Sequence, residues 1–456
     1  MTRHRHIAVI DVGKTNAKLA LVDGTTLQEI AVVTRPNLVL SGPPWPSFDL
    51  QGHWAFFLDH LAAFQAEHGI DAISVTTHGA SAVLLDRDGK LAAPMLDYEH
   101  DGPEYMAAAY DAIRPPFAQT GSPRLQNGLN LGAQLFWQFE SDPALHEKVA
   151  HVLTYPQFWG FRLTGRMATD VTSLGCHTDL WNPRDGTFSS LVERLGLKGK
   201  IAPARRADEI LGTVTADIAA RTGIAPDVPV FCGIHDSNAS LYPHILAQTA
   251  PFCVVSTGTW VIAMAMGGNT PSLDPARDTL MNVNALGHPV PSARFMGGRE
   301  YEIIRDGCNA IPTQADRANV LSGVALVPSV VNDSGPFKGQ RHCWTRQPKT
   351  EGEKMLALSW YLALVTDTCL SLVGAEGPVI IEGPFARNTD FTAMLAALRP
   401  SVKVAASATG TSVGAALLAG TEAPLPETAH VSCPDPEPMR AYAALWRQTL
   451  KNAGCE

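Results

Sequence analysis

The sequence predicts an α/β protein of two similar domains facing one another across a cleft. Three observations carry that expectation. Short apolar runs closed by Gly- or Thr-rich turns alternate with longer segments of helical periodicity. A strand–turn–strand unit occurs once in each half, so that Asp11-Val12-Gly13-Lys14 echoes Ser256-Thr257-Gly258-Thr259. The length of 456 residues also exceeds what one ordinary core accommodates and suggests two or three domains, the expected division being 1–240 and 241–456.

Residues 7–11 read as a strand, 12–16 as a turn and 17–22 as the returning strand. Such a hairpin lays backbone amides and small hydroxyls against whatever covers the turn. A carboxylate, Asp11, ends the first strand, which is unusual on a plain surface hairpin. The Pro43-Pro44-Trp45-Pro46 run marks a loop, and 53–68 carries Trp54, Phe57, Leu58, Leu61 and Phe64 at helical spacing. Residues 70–77 form a strand that enters His78-Gly79, and 82–86 form another. His78-Gly79 at a strand end is placed to touch a polar ligand, although a lone histidine is more often structural.

Residues 97–102 are polar and read as a loop, 131–140 as a helix, and Pro156 opens a second helix that stops at Leu163-Thr164-Gly165. Residues 168–172 read as a polar turn. The apolar run 228–231 before Gly233 reads as a buried strand, and 238–242 as the opening of a helix. Asp236 therefore occupies a strand-to-helix corner, where amides and the helix dipole hold a carboxylate ionised. It is either a general base or a plain N-cap, and this segment alone does not choose.

In the second half, 252–255 and 260–266 are paired strands around the Ser256–Thr259 turn. A long helix spans 355–373, a strand 378–382, a turn 383–388, a helix 391–398 and a strand 402–404. The small residues of 414–419 suit a helix packed closely on another backbone. The chain ends in a Pro-rich linker and one helix expected to dock on the surface.

A formal charge of -9, a pI near 5.9 and a mean hydropathy of +0.01 describe a soluble globular chain. No basic run or basic helix offers nucleic acid or an anionic membrane a surface. The eight cysteines show no C-x-x-C spacing and read as buried thiols of a reducing compartment. The apolar run after the basic start is too short for a signal peptide, and no stretch reaches the roughly 18 apolar residues of a spanning helix. The expected location is cytoplasmic.

Three Gly/Thr turns after buried strands, with one acid at a helix start, fit a nucleotide held between two domains. Phosphoryl transfer asks for phosphate-cradling amides, a magnesium-holding acid and a base for the attacking hydroxyl. No P-loop and no protein-kinase motif set is present. Ile7-Asp11-Gly13-Thr15-Asn16, Thr222-Gly223 with Gly233-His235-Asp236, and Ser256-Thr257-Gly258-Thr259-Trp260 occur in that order. With Leu163-Thr164-Gly165, Thr169-Asp170 and the pair Gly383 and Asn388, the chain resembles the FGGY carbohydrate kinases over nearly its whole length.

The resemblance implies two actin-like, ribonuclease-H-type ATPase domains, an N-terminal one carrying sugar and base and a C-terminal one carrying nucleotide. It implies ATP and Mg2+, with Asp236 as general base and Asp11 orienting the metal through water. Gly13, Lys14, Thr15 and Asn16 would hold phosphates with Thr257, Gly258 and Thr259, and Gly383 and Asn388 would lie near the adenosine. His78, Gly79, His235 and Asp236 would meet the sugar, most simply a ketose of the L-rhamnulose, L-fuculose, xylulose or ribulose class. The family's acidic loop appears here as Asp97-Tyr98-Glu99-His100-Asp101, and its paired glycine near adenine as Glu382-Gly383. Gly297-Gly298-Arg299-Glu300 either reaches the sugar or forms a surface ion pair. The expected partner is a small sugar, with no nucleic acid and no membrane, and a homodimer is compatible with it. A non-catalytic sugar or nucleotide sensor and an actin- or chaperone-like ATPase share these features.

Overall fold

The computed structural model describes residues 4–269, 271–405, 410–421, 423–425 and 427–452. The chain divides into two compact units. The first comprises Met1–Ala247, Met281–Pro289 and Thr409–Leu425, and the second Gln248–Leu280, Val290–Ala408 and Pro426–Glu456. The boundary expected after residue 240 falls inside the helix Asp236–Ala247, and two short segments of the second half belong to the first unit.

The first unit is built on strands β1 (His6–Val12), β2 (Asn16–Asp23), β3 (Glu29–Pro36), β4 (Ala72–Thr77), β5 (Ile210–Thr213) and β6 (Pro229–Phe231). Their order is β5-β6-β4-β1-β2-β3, and Ile234–His235 also pairs with β4. β1 runs antiparallel to β2 and parallel to β4. Being central, β1 is buried over its last six residues, which explains its unbroken apolar run. β3 is the edge and alternates between exposed and half-buried positions, so it lacks the apolar signal that marks β1.

The helix Leu50–His68 starts at Asp49, whose carboxylate accepts the Gly52 amide at 2.8 Å. It packs Trp54, Phe57, Leu61 and Phe64 into one core with Phe158, Trp159 and Leu163 of the helix Tyr155–Thr164. The polar stretch 168–172 is more ordered than a turn. It forms the strand Thr169–Asp170 and the helix Val171–Leu174, with Asp170 as the cap.

The small-residue helix begins earlier than expected, at Thr411, and runs to Ala416. Its close packing is real. A Cβ on Gly414 would sit 1.8 Å from the Ala239 carbonyl oxygen, and Ser74 Oγ donates to the Ala415 carbonyl at 2.7 Å.

The second sheet, drawn mostly from the second unit, holds β7 (Phe252–Thr257), β8 (Val261–Met266), β9 (Thr279–Val283, whose last three residues belong to the first unit), β10 (Pro289–Phe295), β11 (Val379–Glu382), β12 (Val402–Ala405) and β13 (Thr428–His430). The order is β9-β10-β8-β7-β11-β12-β13. β7 runs antiparallel to β8 and parallel to β11, and β8 antiparallel to β10. That repeats the wiring of β1 with β2, β4 and β3, which is the repeated actin-like plan the hairpin echo announced.

The helix Glu351–Leu372 passes a length and composition test for crossing a membrane, but 83% of its most apolar stretch is buried inside the protein. It is a core helix. The last helix, Glu437–Asn452, is not merely docked on the surface. Trp446 is 2% exposed and its Nε1–H donates to the Leu326 carbonyl at 2.8 Å. Glu300 corrects another expectation: it is buried, accepts from Tyr361 Oη at 2.9 Å and the Val331 amide at 3.0 Å, and braces the core.

Candidate active site

In the first unit, strand pairing assembles the corner around Asp236. Ile234 pairs with Thr76 and His235 with Thr77, so the chain leaving β4 at His78-Gly79 lies beside His235-Asp236. Gly233 makes this approach with φ at 94° and no room for a Cβ, which would fall 2.8 Å from the Val75 carbonyl oxygen. The backbone amide of His235 donates to Thr172 Oγ1 at 3.0 Å, and that hydroxyl donates to the fully buried Asp170. Asp170 of the Thr169-Asp170 stretch thus supports the corner through Thr172.

Asp236 Oδ1 takes the Ser237 amide at 2.6 Å and lies 3.0 Å from His235 Nε2. An N-cap side chain accepts from the second or third amide of its helix; this one takes the first and the neighbouring imidazole. Burial works against its charge, but His235, His78 and the Ser237 amide outweigh it and hold the carboxyl below its ordinary range. His235 is also desolvated, yet the Cys176 thiol and the Asp236 carboxylate raise it well above a free imidazole. Burial opposes the Cys176 thiolate, and the imidazoles of His177 and His235 reverse the balance and bring the thiol well below its usual value. Gly79 leaves room for this histidine: a Cβ there would meet His235 Nε2 at 2.8 Å.

His78 is 5% exposed, and burial lowers its pKa. Its Nδ1–H donates to the Gly79 carbonyl at 3.0 Å, so Nε2 is an acceptor. That Nε2 is buried without a hydrogen-bond partner. The ring is wedged between Phe48, Tyr98 and Tyr155, at centroid distances of 5.2, 5.2 and 5.1 Å. Burial, with Glu99, Asp236 and Asp97 nearby, pushes the Tyr98 phenol up to about 12.

The turn after β1 is fixed from behind. Gly13 N–H donates to the Asn16 carbonyl at 2.9 Å, and Asn37 Nδ2 donates to the Gly13 carbonyl at 2.8 Å. His53 Nε2–H holds Asn37 Oδ1 at 2.8 Å, and Asn16 Nδ2 reaches Thr15 Oγ1 at 3.2 Å. The Lys14 ammonium is paired with Asp97 and with Glu99 Oε2 at 3.0 Å, and lies 4.6 Å from the Tyr98 ring centre. Asp11 is 8% exposed, and its Oδ2 accepts from Thr411 Oγ1 at 2.6 Å and Ser412 Oγ at 2.8 Å, with Lys18 Nζ at 3.4 Å. Among the described residues no group of three metal-ligating side chains occurs. One carboxylate still fits Mg2+, which in phosphoryl-transfer sites takes one or two carboxylates, substrate phosphates and waters.

In the second unit, Thr257 and Gly383 lie together where β7 and β11 end: Thr257 Oγ1 donates to the Glu382 carbonyl at 2.5 Å and accepts the Phe385 amide at 3.1 Å. Gly258, Thr259 and Asn388 line a cavity of about 710 Å3 with Tyr301, Ser359 and Phe385, a volume suited to a small organic ligand. Asn388 caps the helix Thr389–Leu398 through the Phe391 amide at 3.1 Å and donates to Ser359 Oγ at 3.0 Å.

Each unit therefore gathers its own expected residues. Tyr98 beside His78 comes from the acidic loop already singled out in the sequence; the tuning residues with no such signal are Cys176 and Thr172 behind His235, and Thr411 with Ser412 on Asp11. A thiol directly before His177 was the one visible hint.

Residues 6–242 match the model for the N-terminal domain of the FGGY family of carbohydrate kinases, and 249–427 the carbohydrate kinase FGGY C-terminal domain. The solved structure of a carbohydrate kinase from Novosphingobium aromaticivorans is 36% identical, with a TM-score of 0.90 over 99% of this chain and 100% of that one. A xylulose kinase structure from Rhodospirillum rubrum, 21% identical, shares the fold at a TM-score of 0.77 over 98% of this chain and 99% of that one. L-fuculokinase of Salmonella typhi is 28% identical over 58% of this chain and 57% of its own length, so the match spans little more than half of that relative. On this likeness in sequence and fold, the chain belongs to the FGGY family of carbohydrate kinases.

Proposed function

We propose that the protein transfers the γ-phosphoryl group of ATP to a hydroxyl of a ketose, with Asp236 as general base. The observation that carries this reading is the pairing of an ionised Asp236 with a neutral, buried His78 whose Nε2 is left without a partner. Both are suited to receive hydrogen bonds from a sugar. The attacking hydroxyl gives its proton to Asp236 as its oxygen bonds to the γ-phosphorus, and the bond from that phosphorus to the ADP oxygen breaks. His235 keeps the carboxylate oriented through Oδ1, and Gly79 leaves room for the His235 ring. In this reading Gly13, Thr15, Asn16, Thr257, Gly258 and Thr259 serve the phosphates, and the cavity bordered by Asn388 and close to Gly383 takes the adenosine. Asp11 would hold Mg2+, which when bound neutralises charge on the β- and γ-phosphate oxygens.

The sugar is assigned to the L-rhamnulose, L-fuculose, xylulose or ribulose class, in keeping with the L-fuculokinase match. The seven cysteines among the described residues are free thiols, which suits a reducing cytoplasm; Cys455 lies outside them. An ADP-release screen across ketoses, polyols and aldoses, with a no-sugar control, tests the reading. Release that depends on a ketose is expected. Equal ATP hydrolysis with and without sugar, or sugar binding without ADP, would overturn it.

A further inference from the structure

The turn after β1 presents Lys14, a residue whose place in a phosphate-binding turn suggests a phosphate contact. The geometry points elsewhere. Its ammonium is tied to Asp97 and to Glu99 Oε2 at 3.0 Å, and lies over Tyr98 and Phe48 at 4.6 and 5.2 Å. Those two rings are among the three that flank His78, each with its centroid 5.2 Å from the imidazole. His78 leaves β4 beside His235-Asp236, because Ile234 pairs with Thr76 and His235 with Thr77. Lys14, Asp97, Tyr98, His78 and Asp236 therefore form one wall, and the buried His78 Nε2 on it lacks a partner.

We propose that Lys14 is a specificity-determining residue for the phosphoryl acceptor, and that with Asp97 it selects a neutral polyhydroxy sugar over a sugar acid. The inference rests on the kinase reading above and deepens it. The wall offers three acceptors, the Asp97 and Asp236 carboxylates and His78 Nε2, and one strong donor, the Lys14 ammonium. Hydroxyls satisfy both kinds, because each donates one hydrogen bond and accepts others. A vicinal diol spans the Lys14–Asp97 pair, one oxygen accepting from the ammonium and the other donating to the carboxylate. A carboxylate ligand brings only acceptors and a negative charge. The cations it would seek are already matched, Lys14 by Asp97 and Glu99 and His235 by Asp236, and like charge at this range is repulsive.

The test is steady-state kinetics of Lys14→Met and Lys14→Arg with both substrates varied, and a panel of ketoses against aldonates. Loss of one charged hydrogen bond raises acceptor KM on the order of tenfold to a hundredfold. In Lys14→Met that rise is expected with nucleotide KM within about twofold of the parent, and Lys14→Arg is expected to restore part of it. Aldonates are expected to be poor acceptors for the unaltered protein. A raised nucleotide KM with acceptor KM unchanged would return Lys14 to the phosphates and overturn the proposal. So would unchanged KM values for both substrates, or preferred turnover of a sugar acid. If Lys14→Met does not fold by circular dichroism, Lys14→Arg carries the test through a changed order of preference among ketoses at constant nucleotide KM; an unchanged order overturns the proposal. Absence of ADP release from the unaltered protein with every acceptor would instead sink the kinase reading. Calorimetric titration of a neutral ketose into the unaltered protein and Lys14→Arg then decides the Lys14 question separately: weaker binding by the variant supports it, equal binding refutes it.

Discussion

Replacing Asp236 by Asn removes a charge and a proton acceptor while keeping the shape of the corner. The amide oxygen of Asn is able to accept the same Ser237 amide and His235 Nε2–H that lie 2.6 and 3.0 Å from Asp236 Oδ1 in the parent. Thr172 continues to hold the His235 backbone. Sugar affinity is therefore expected to change little. What disappears is general-base catalysis, typically about 10²–10⁴-fold, or roughly 3–5 kcal/mol of transition-state stabilisation. The assay is coupled ADP release for kcat, with sugar affinity from calorimetry in the absence of nucleotide. The same experiment carries a pH arm. Asp236 titrates below the ordinary carboxylate range, so the unaltered enzyme is expected to show no acid limb from this group between about pH 5 and 7. A kcat for Asp236→Asn within about tenfold of the parent would show that another group takes the proton. A parent acid limb near pH 6 that vanishes in the variant would refute the account of its ionisation.

Folding stability is expected to fall as pH drops from about 6.5 toward 4, because His53 is fully buried and its pKa is lowered to about 4, first by burial and then by Arg35. The unfolded chain binds a proton there that the folded chain refuses, worth up to about 3 kcal/mol; urea midpoints of the parent and His53→Gln across that range read it, and equal slopes refute it. Gly414→Val places a Cβ against the Ala239 carbonyl at 1.8 Å in the parent geometry, so a loss of about 2 kcal/mol or more is expected in thermal or urea unfolding; an unchanged midpoint would contradict the packing. Cys176→Ser removes the thiol that holds the His235 imidazole protonated, so the pH at which His235 releases its proton is expected to move down in a histidine NMR titration, and an unmoved titration would exclude the thiol from the site.

What the sequence showed clearly was local. β1, β7 and the Asp236 corner were readable because their apolar runs are short, unbroken and closed by glycines, and because central strands buried on both faces leave that trace. β3 was not readable: an edge strand with Glu29, Thr34 and Arg35 in it carries no such signature. The terminal helix was expected to dock on the surface, and only the fold shows Trp446 reaching the Leu326 carbonyl. At the site, the residues with intrinsic chemistry were legible and their tuning was not. Lys14 meets Asp97 across 83 positions and Asp11 meets Thr411 across 400, and no pattern in one sequence reports pairings of that span.

The two hydroxyls on Asp11 have a consequence for how the protein is made. The first unit is completed only by a segment ending at Leu425, and the second unit's chain is threaded between. On the ribosome, the opening sheet must wait with an unfinished face while nearly all of the later half is synthesised. At roughly 5–20 residues per second, the stretch from Ala247 to Leu425 delays closure by on the order of 10–35 s. Until then Ser74 lacks the Ala415 carbonyl and Asp11 its hydroxyl donors, so the nascent chain carries an exposed apolar strand set that chaperones are suited to shield.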